Sequence, residues 1–438
     1  MTKNKNGKIF VSVAGFTDPD IVNTINNMIE NCSDPKRLDV HIFYQFDDSL
    51  TPFELLKKID KRGATIKMKA IPAHESQGVC WARHYLISQY TDQDFFLQID
   101  SHHRFEPNFD KICIETIEKL KNIGSEKPVL SCYLPAFNPD NDPSERVKEI
   151  WDLHFDRFVV GGGGANGCVF MIPSAMHNFK QRKFPMRGRF VSGHFIFAEG
   201  DICNVPFYNP DYFFHSEEIL ASVQLFRFGW EVWIPEKQIA FHEYLRKGRN
   251  KCWDILPDWE ERNKKCHSIN RQYFHMDPRG DYDFSIYEKN AKFSIQDYEK
   301  FAGIHFKSRS VHPDTLTCKE PPILYNYKKY DDFAKACRPV RRHCLDVWHE
   351  DMPEYEKIDF VAVIYEHNGR QLFREDFSGV KLEAVFAEKK DKGDSFFKFW
   401  SDFISPEKDR YNFPTNAVVW PCLKKEGWGR RLDFNLKN

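Results

Sequence analysis

An apolar run that ends in an acid and a histidine is the stretch of this sequence best suited to chemistry. The run FFLQID ends at Asp100, and His102 follows two positions later. In extended backbone, residues i and i+2 point to the same side, so these two side chains can face one point in space. A carboxylate oxygen and an imidazole nitrogen suit a divalent ion such as Mn²⁺, which can neutralise a departing diphosphate as a Lewis acid. The alternative is that Asp100 is a turn residue and His102 a surface histidine.

A pair of acids at the start of a helix is the second candidate. The segment SEEILASVQLFRFGW, residues 216–230, predicts a helix with Ser216 as N-cap and Gly229 as its stop. Glu217 or Glu218 can hydrogen-bond a hydroxyl group of a ligand, as a positioned carboxylate does. The alternative is that both acids only complement the helix dipole, which is worth about 0.3–1 kcal/mol each.

These candidates depend on a sheet that places them. Thr17 or Asp18 is expected to cap a helix after the first strand, and residues 78–90 are predicted to form another helix. The alternation of strands and helices along the chain indicates a largely parallel sheet in an α/β fold. In such sheets, ligands bind beyond the carboxyl ends of the strands. The predicted strands are residues 8–16, 39–46, 64–71 and 94–100.

The rest of the chain is less regular. The run GGGGANGC, residues 161–168, lacks the phosphate-loop and dinucleotide patterns, so we expect a loop or a close backbone approach to a ligand. The composition changes after about residue 308: residues 321–348 indicate a connector with helix, and short strands broken by turns begin at about residue 357. We therefore predict a catalytic domain over residues 1–308, a helical connector over 309–350 and a small, mostly β, sandwich-like domain over 351–438.

Composition narrows the function classes. The 438 residues are 41% hydrophobic, and 63 basic residues balance 64 acidic ones, which argues against bulk electrostatic binding to nucleic acid or membranes. The mean hydropathy is -0.59, and no apolar run approaches the roughly 20 residues of a membrane span. The 12 cysteines include no C-x-x-C pair, and the N-terminus does not resemble a signal peptide. We expect a cytoplasmic protein with free thiols and no zinc knuckle.

Several segments together resemble one known family. They are VSVAGFTDPD after residue 10, ESQGVCWARHYL at 75–86, the D-S-H motif at 100–102, RFVSGHFIFAEG at 189–200 with the helix start that follows it, and FAGIHF at 301–306. This set resembles the GT-A polypeptide α-N-acetylglucosaminyltransferases, which are related to the cytosolic hydroxyproline GlcNAc-transferases. The resemblance covers about residues 7–308 and leaves the C-terminal domain outside.

The resemblance implies a retaining enzyme that uses UDP-GlcNAc and Mn²⁺ or Mg²⁺. Asp100 and His102 are then metal ligands, and His242, in the segment FHEY, is implied as the third. The alternative for His242 is a satisfied histidine at a strand end.

The same resemblance implies the nucleotide pocket. Arg83 is expected near the diphosphate or uracil, and the residues Ala14, Gly15, Phe16 and Ser101, together with Asp100, are expected to contact the nucleotide. The alternative for Arg83 is a solvated arginine on a helix. The alternative for residues 14–16 is a plain turn after the first strand.

The resemblance also concerns the side of the site that binds the acceptor. It points to two further residues there and to one position where this chain differs from the family pattern. His194 and Glu199 are expected to line the acceptor side, or else to be structural. This chain has Ser216 where the family usually has a glycine before the glutamates, so the local backbone is expected to differ. We expect Arg104 to support the neighbouring loop and assign no role to His103.

The resulting hypothesis is a metal-dependent retaining transferase that moves GlcNAc from UDP-GlcNAc to a hydroxyl of a protein or a glycan, with Glu217 and Glu218 as catalytic residues. No residue stands out as a covalent nucleophile. One alternative is an inverting GT-A transferase that uses another UDP-sugar. A second is a non-catalytic carbohydrate-binding scaffold.

Overall fold

The computed structural model describes residues 7–48, 50–158, 168–176, 179–245, 249–321, 327–392, 395–404 and 414–436. Its strands are β1 (Ile9–Phe16), β2 (Leu38–Phe46), β3 (Thr65–Pro72), β4 (Phe95–Asp100), β5 (His103–Phe105), β6 (Pro128–Leu130), β7 (Trp151–Arg157), β8 (Phe170–Ala175), β9 (Met186–Arg187), β10 (Phe195–Glu199), β11 (Glu231–Ile234), β12 (Ala240–His242), β13 (Ile304–His305), β14 (Ser310–Val311), β15 (Arg338–Trp348), β16 (Ile358–His367), β17 (Arg370–Phe377), β18 (Phe396–Ile404), β19 (Asn416–Leu423), β20 (Gly427–Trp428) and β21 (Leu432–Asn435). Its helices are α1 (Ile21–Asn31), α2 (Pro52–Lys58), α3 (Val79–Ile87), α4 (Phe109–Asn122), α5 (Glu217–Arg227), α6 (Cys252–Ile255), α7 (Trp259–Tyr273), α8 (Ser285–Glu288), α9 (Ile295–Ala302), α10 (Pro313–Leu316), α11 (Tyr330–Ala336) and α12 (Gly379–Lys392). The glycine run predicted as a loop lies outside the described residues apart from Cys168.

Eight strands form one mixed sheet in the order β3-β2-β1-β4-β10-β6-β11-β9. The first four strands of this order are parallel, and β10 runs antiparallel to β4. β1 and β4 are almost wholly buried, because apolar cores cover both faces of the sheet. The carboxyl ends of β1 and β4 lie side by side, with Ala14 opposite Asp100. The predicted mixed α/β fold is confirmed, and its four predicted strands are β1 to β4.

The first helix begins later than the sequence suggests. Asp20 stands at the N-cap of α1, so the prediction that Thr17 or Asp18 caps this helix is wrong. The reason is that both side chains have distant partners. The Thr17 hydroxyl donates to the Asn250 carbonyl at 2.9 Å, and the Asp18 carboxylate lies 2.7 Å from a ring nitrogen of His102.

A short antiparallel pair lies beyond the carboxyl edge of the large sheet. β5 follows β4 after a two-residue turn and pairs with β12, so that His103 lies opposite His242. This pairing joins residues almost 140 positions apart in the chain and brings His242 to the end of β4.

The C-terminal part of the chain is β-rich, as predicted. β15 extends the small β13-β14 sheet and pairs along its length with β18, while β16, β17, β19, β20 and β21 form a five-stranded sheet. The paired strands β15 and β18, the five-stranded sheet and α12 share one apolar core. Within the predicted helical connector, α10 and α11 are helices, but residues 338–348 form β15 instead. We therefore propose that the accessory domain begins at Arg338.

The helices of the structure are short. α7, with 15 residues, is longer than the 14-residue α4 and α12. None of the helices in the described residues combines the length and the apolar character that crossing a membrane requires.

Candidate active site

Three side chains converge at the carboxyl end of β4. Asp100 is the last residue of that strand, His102 lies in the turn after it, and His242 is the last residue of β12. Each offers one ligand atom, and these atoms all lie within 4.8 Å of one another. The predicted group Asp100, His102 and His242 is therefore brought together by the β5–β12 pairing.

His242 has the environment of a metal ligand. Its side chain is buried, and neither ring nitrogen has a hydrogen-bond partner in the described part of the chain. Nε2 lies 3.5 Å from Asp100 Oδ2, which is longer than a normal hydrogen bond. Buried polar groups are rarely left unpaired, and one carboxylate with two imidazoles is a donor set that suits Mn²⁺ and similar ions. The residues present therefore fit a divalent cation.

His102 is oriented by a buried acid. Its Nδ1 lies 2.7 Å from Asp18 Oδ2, and the Ser101 hydroxyl donates to the same oxygen at 2.7 Å. Burial raises the pKa of Asp18, but the hydrogen bond and charge of His102 and the charge of Arg249 outweigh it and lower that pKa to about 2. An ionised Asp18 can only accept, so a neutral His102 ring donates its Nδ1–H and has its lone pair on Nε2 for another ligand. Arg249 Nη1 also contacts Nδ1.

Arg83 connects the two groups of candidate residues. Its guanidinium is buried, donates from Nη2 to Asp100 Oδ1 at 2.8 Å, and lies 3.4 Å from Glu217 Oε1 through Nη1. Burial raises the pKa of Asp100, but His242 and Arg83 outweigh it and hold that pKa well below its ordinary value. Arg83 therefore fixes Asp100 as a carboxylate and links it to the start of α5.

A first cavity of about 160 Å³ opens at the ends of β1 and β4. Ala14, Phe16, Asp100 and Ser101, which the sequence analysis assigns to the nucleotide, line it together with His102. Gly15 does not, because a Cβ at that position would lie 2.9 Å from Ile21 Cδ1 on the helix side of the strand. Gly15 is thus needed for packing against α1 rather than for contact with a ligand.

A basic segment that the sequence analysis did not single out closes the same cavity. Residues 249–253 line it, and Arg249 contacts the Asp18 carboxylate and donates to Glu243 Oε2 at 3.0 Å. Lys251 adds a second positive charge to the lining. The signal for this segment is the run RKGRNK, which follows His242 closely in the sequence.

A second cavity of about 320 Å³ meets the first one at Asp100 and His242. Glu217, Glu218 and Arg83 line it, whereas Arg83 does not line the first cavity. Arg83 therefore lies beside Asp100 on the side of the second cavity, and its contact with the nucleotide stays a prediction.

Both glutamates are held in fixed positions. Glu218 Oε1 accepts a hydrogen bond of 2.8 Å from the Gly193 backbone N–H, and Glu217 faces Arg83. Burial raises the pKa of Glu217. The positive charge of Arg83 lowers this pKa, and the negative charge of Glu218 raises it further. Burial also raises the pKa of Glu218, against the hydrogen bond from Gly193. Carboxyl groups with raised pKa values beside a cavity can bind a hydroxyl and exchange its proton.

His194 lines the second cavity, but both of its ring nitrogens are already used. Nε2 accepts from the Leu134 backbone N–H at 2.9 Å, and Nδ1 lies 2.9 Å from the Ser192 hydroxyl. Its ring also packs against His242, with centroids 4.5 Å apart. His194 therefore supports the site through its neighbours.

Glu199 lies outside the site, which corrects the expectation that it lines the acceptor side. β10 is antiparallel to β4, so Glu199 pairs with Phe95 at the far end of that strand from Asp100. Its carboxylate accepts from Lys121 Nζ at 2.7 Å.

Arg104 supports the loop as expected. Its guanidinium donates to both carboxylate oxygens of Asp20 at 2.8 Å each, which ties β5 to the start of α1. His103 is fully buried next to His242, and its Nδ1 lies 3.1 Å from the Asp100 carbonyl oxygen.

A protein-family model described as "Glycosyltransferase (GlcNAc)" matches residues 53–308, and no curated protein matches the chain. Among solved structures, the chain is similar to GalNAc-T7 with UDP, GalNAc and Mn²⁺, at 14% identity and a TM-score of 0.41, over 56% of this chain and 45% of that one. It is also similar to S. aureus TarS 1-349 in complex with UDP-GlcNAc, at 12% identity and a TM-score of 0.38, over 67% of this chain and 72% of that one. The match thus spans less than half the length of the GalNAc-T7 chain.

Proposed function

Because this chain belongs to the glycosyltransferase (GlcNAc) family, we propose that it transfers N-acetylglucosamine from UDP-GlcNAc to a hydroxyl group. The observation that carries this proposal is the meeting of two cavities at Asp100 and His242. One cavity has the small residues and positive charges that suit a nucleoside diphosphate, and the other has two positioned carboxyls. The bond to be broken then lies between them. The acceptor hydroxyl belongs to a serine, threonine or hydroxyproline of a protein, or to a glycan.

In this proposal the donor lies in the first cavity. Asp100, His102 and His242 hold a divalent ion, Mn²⁺ or Mg²⁺, which when bound neutralises charge on the diphosphate leaving group. Ala14, Phe16 and Ser101 contact the nucleoside. Since Arg249 and Lys251 line the same cavity, they add charge-assisted hydrogen bonds to the phosphates. Asp18 keeps the His102 ring in the orientation that leaves Nε2 free for the ion.

The acceptor and the transferred sugar lie in the second cavity. Glu218, fixed by Gly193, and Glu217, fixed by Arg83, bind hydroxyl groups of the sugar or the acceptor. The acceptor oxygen forms a bond to the anomeric carbon as the bond from that carbon to the diphosphate oxygen breaks. The departing diphosphate oxygen takes the acceptor proton on the same face, so the configuration at the anomeric carbon is retained.

The raised pKa values of the two glutamates favour a second candidate, an inverting transferase. A carboxyl whose pKa lies nearer to neutrality is a better general base, so Glu217 or Glu218 would accept the hydroxyl proton from the opposite face. The anomeric configuration of the product, measured by NMR before it equilibrates, distinguishes the two. An α-linked product supports retention and a β-linked product supports inversion.

The proposed function is tested by donor turnover. Purified protein with UDP-GlcNAc and Mn²⁺ should release UDP, and Asp100→Ala should abolish release, because it removes a metal ligand and one of the two carboxylates that contact Arg83. Asp60→Ala, at an exposed carboxylate on the surface, is the matched control and should behave as wild type. UDP release that survives Asp100→Ala would contradict the metal assignment.

A scaffold without catalysis predicts a different result. It would release no UDP, and calorimetry would find no stronger binding of UDP-GlcNAc when Mn²⁺ is added. Parallel assays with UDP-GalNAc and UDP-glucose identify the donor, and we expect UDP-GlcNAc to have the highest kcat/KM.

A further inference from the structure

The turn before the two glutamates is held in a conformation that its sequence does not favour. Ser216, directly before Glu217, has φ +76° and ψ +3°, in the left-handed region. Residues with a Cβ rarely adopt this region, whereas glycine does so freely. Such a conformation persists only where its surroundings impose it, and it sets the direction in which α5 presents Glu217 and Glu218.

Ser216 does not act as the helix cap that the sequence predicts. A capping serine accepts a hydrogen bond from a backbone N–H of the first helical turn, and no such bond is present here. Its Oγ lies instead 2.7 Å from Nδ1 of His267 on α7. The His267 side chain is 1% exposed, and its Nε2 has no hydrogen-bond partner among the described residues. The contact with Ser216 is therefore the one hydrogen bond that the described structure gives this ring.

α7 holds the same turn at two further points. Asn263 Oδ1 accepts from the His215 backbone N–H at 3.3 Å, and Asn270 Nδ2 donates to the Ser216 carbonyl at 2.9 Å. Asn263, His267 and Asn270 are spaced by four and three residues, so they lie on one face of the helix, and all three are buried. A buried polar face whose hydrogen bonds meet at a two-residue turn is a device for fixing that turn.

We propose that His267 is a positioning residue that sets Glu217 and Glu218 by holding Ser216 in its left-handed conformation. The inference rests on the proposed function, because it takes the two glutamates as the groups that bind the acceptor or sugar. In this view the histidine offsets the cost of a serine at a position where glycine would need no support. In this proposal His267 acts through Ser216, although both residues also line the second cavity.

Four variants test the proposal in UDP-GlcNAc turnover with Mn²⁺. His267→Ala should lower kcat by about tenfold or more, because misplaced reacting groups are costly, with the KM for the donor changed by less than about threefold. Ser216→Gly should be close to wild type, because glycine adopts positive φ unaided. The double variant Ser216→Gly/His267→Ala should recover to near the Ser216→Gly rate. His267→Asn should recover part of the rate, because its amide can reach the Ser216 hydroxyl.

A matched control removes another buried imidazole of the same domain. His41→Ala, on β2 and away from the two cavities, should lose stability without the selective fall in kcat. A double variant as slow as His267→Ala, or a His267→Ala protein with wild-type kcat, would overturn the proposal. The first result would mean that the histidine touches substrate or serves only the fold.

Failure of the proposed function gives a distinct pattern. If wild type turns over no donor, the function is wrong, and the Ser216–His267 pairing is still tested by thermal unfolding of the same four proteins. Coupled changes at the two positions support the turn-holding role, and strictly additive changes overturn it.

Discussion

The carboxyl edge of the large sheet and the C-terminal domain differ in how many polar residues they bury. Around the site, Asp18, Arg83, His103 and His242 are all buried. In the described residues from 338 onward, Ser401 is the one polar residue that is buried as a whole, and single side-chain nitrogens of Arg338, His343 and His349 are buried as well. Both regions are built on β-sheets with apolar cores, so the presence of strands does not explain the difference.

The difference indicates that the buried polar residues at the sheet edge serve the reaction at a cost to the stability of the fold. Burying a charge costs free energy unless partners compensate it, so buried charges concentrate where a reaction needs them. The edge of the sheet keeps unpaired His242 nitrogens and two glutamates with raised pKa values. The C-terminal domain buries few polar groups and contributes no residue to either cavity.

The sharpest contrast should come from a core residue of the C-terminal domain. Phe399 is fully buried, and Phe399→Ala should lower the free energy of unfolding by about 3–5 kcal/mol through lost packing. Below its unfolding temperature, the variant should keep the wild-type kcat/KM for UDP-GlcNAc. Denaturant unfolding and a donor assay measure the two quantities. Phe53→Ala, at a phenylalanine that is 75% exposed, is the control. Loss of turnover in the folded Phe399 variant would mean that the domain takes part in catalysis.

The opposite result is expected at the strand edge. His242→Ala should reduce UDP release by roughly a hundredfold, because a lost ligand removes several kcal/mol of stabilisation from the leaving diphosphate. The affinity for Mn²⁺ together with UDP, measured by calorimetry, should weaken in parallel. His154→Ala, a buried histidine on β7 outside both cavities, should leave turnover unchanged. Equal losses in the two variants would remove the distinction between functional and structural histidines.

Glu299 is a buried acid that lies away from the two cavities. It therefore tests whether a buried acid of this chain can serve a role other than the reaction. It accepts from the Phe306 N–H at 2.8 Å and contacts the Tyr330 hydroxyl, joining α9 to α11. Burial raises its pKa to about 7, against the hydrogen bonds from Tyr330 and Phe306. The folded state therefore keeps a proton that the unfolded state loses near pH 4.5, and stability falls as pH rises through 7.

Glu299→Gln should remove this dependence. Between pH 5 and 7 the wild-type free energy of unfolding should fall by about 2 kcal/mol more than that of the variant, as proton linkage requires. Denaturant unfolding at several pH values measures the difference. Identical pH profiles for the two proteins would show that Glu299 is not the source.

The smallest effect is expected at the surface of the C-terminal domain. Trp400 is 51% exposed, so Trp400→Ala should change the free energy of unfolding by less than about 0.5 kcal/mol and leave donor turnover unchanged. A fall in transfer to a macromolecular acceptor, with unchanged UDP release, would instead assign acceptor binding to this domain.

Local pattern was enough to predict some parts of the site. Asp100 and His102 follow an apolar strand whose direction in a parallel sheet is set by its neighbours, so their meeting point was predictable. Glu217 and Glu218 are marked by the helix that they begin. The group around His242 depends on the long-range β5–β12 pairing, which no local signal encodes, and only family resemblance pointed to it.

The errors have the same physical origin. Glu199 was misplaced because the sequence does not reveal that β10 runs antiparallel to β4. Asp18 was taken for a helix cap because its partner, His102, lies 84 positions away. Residues 338–348 were expected in a helical connector, and their pairing with β18 makes them a strand. In each case a distant contact overrides the local preference.

A crystal structure with UDP and Mn²⁺, recorded with anomalous scattering from manganese, would show where the ion binds. We predict one strong anomalous peak coordinated by Asp100, His102 and His242 and by oxygens of the diphosphate. A peak elsewhere, or none with UDP bound, would contradict it.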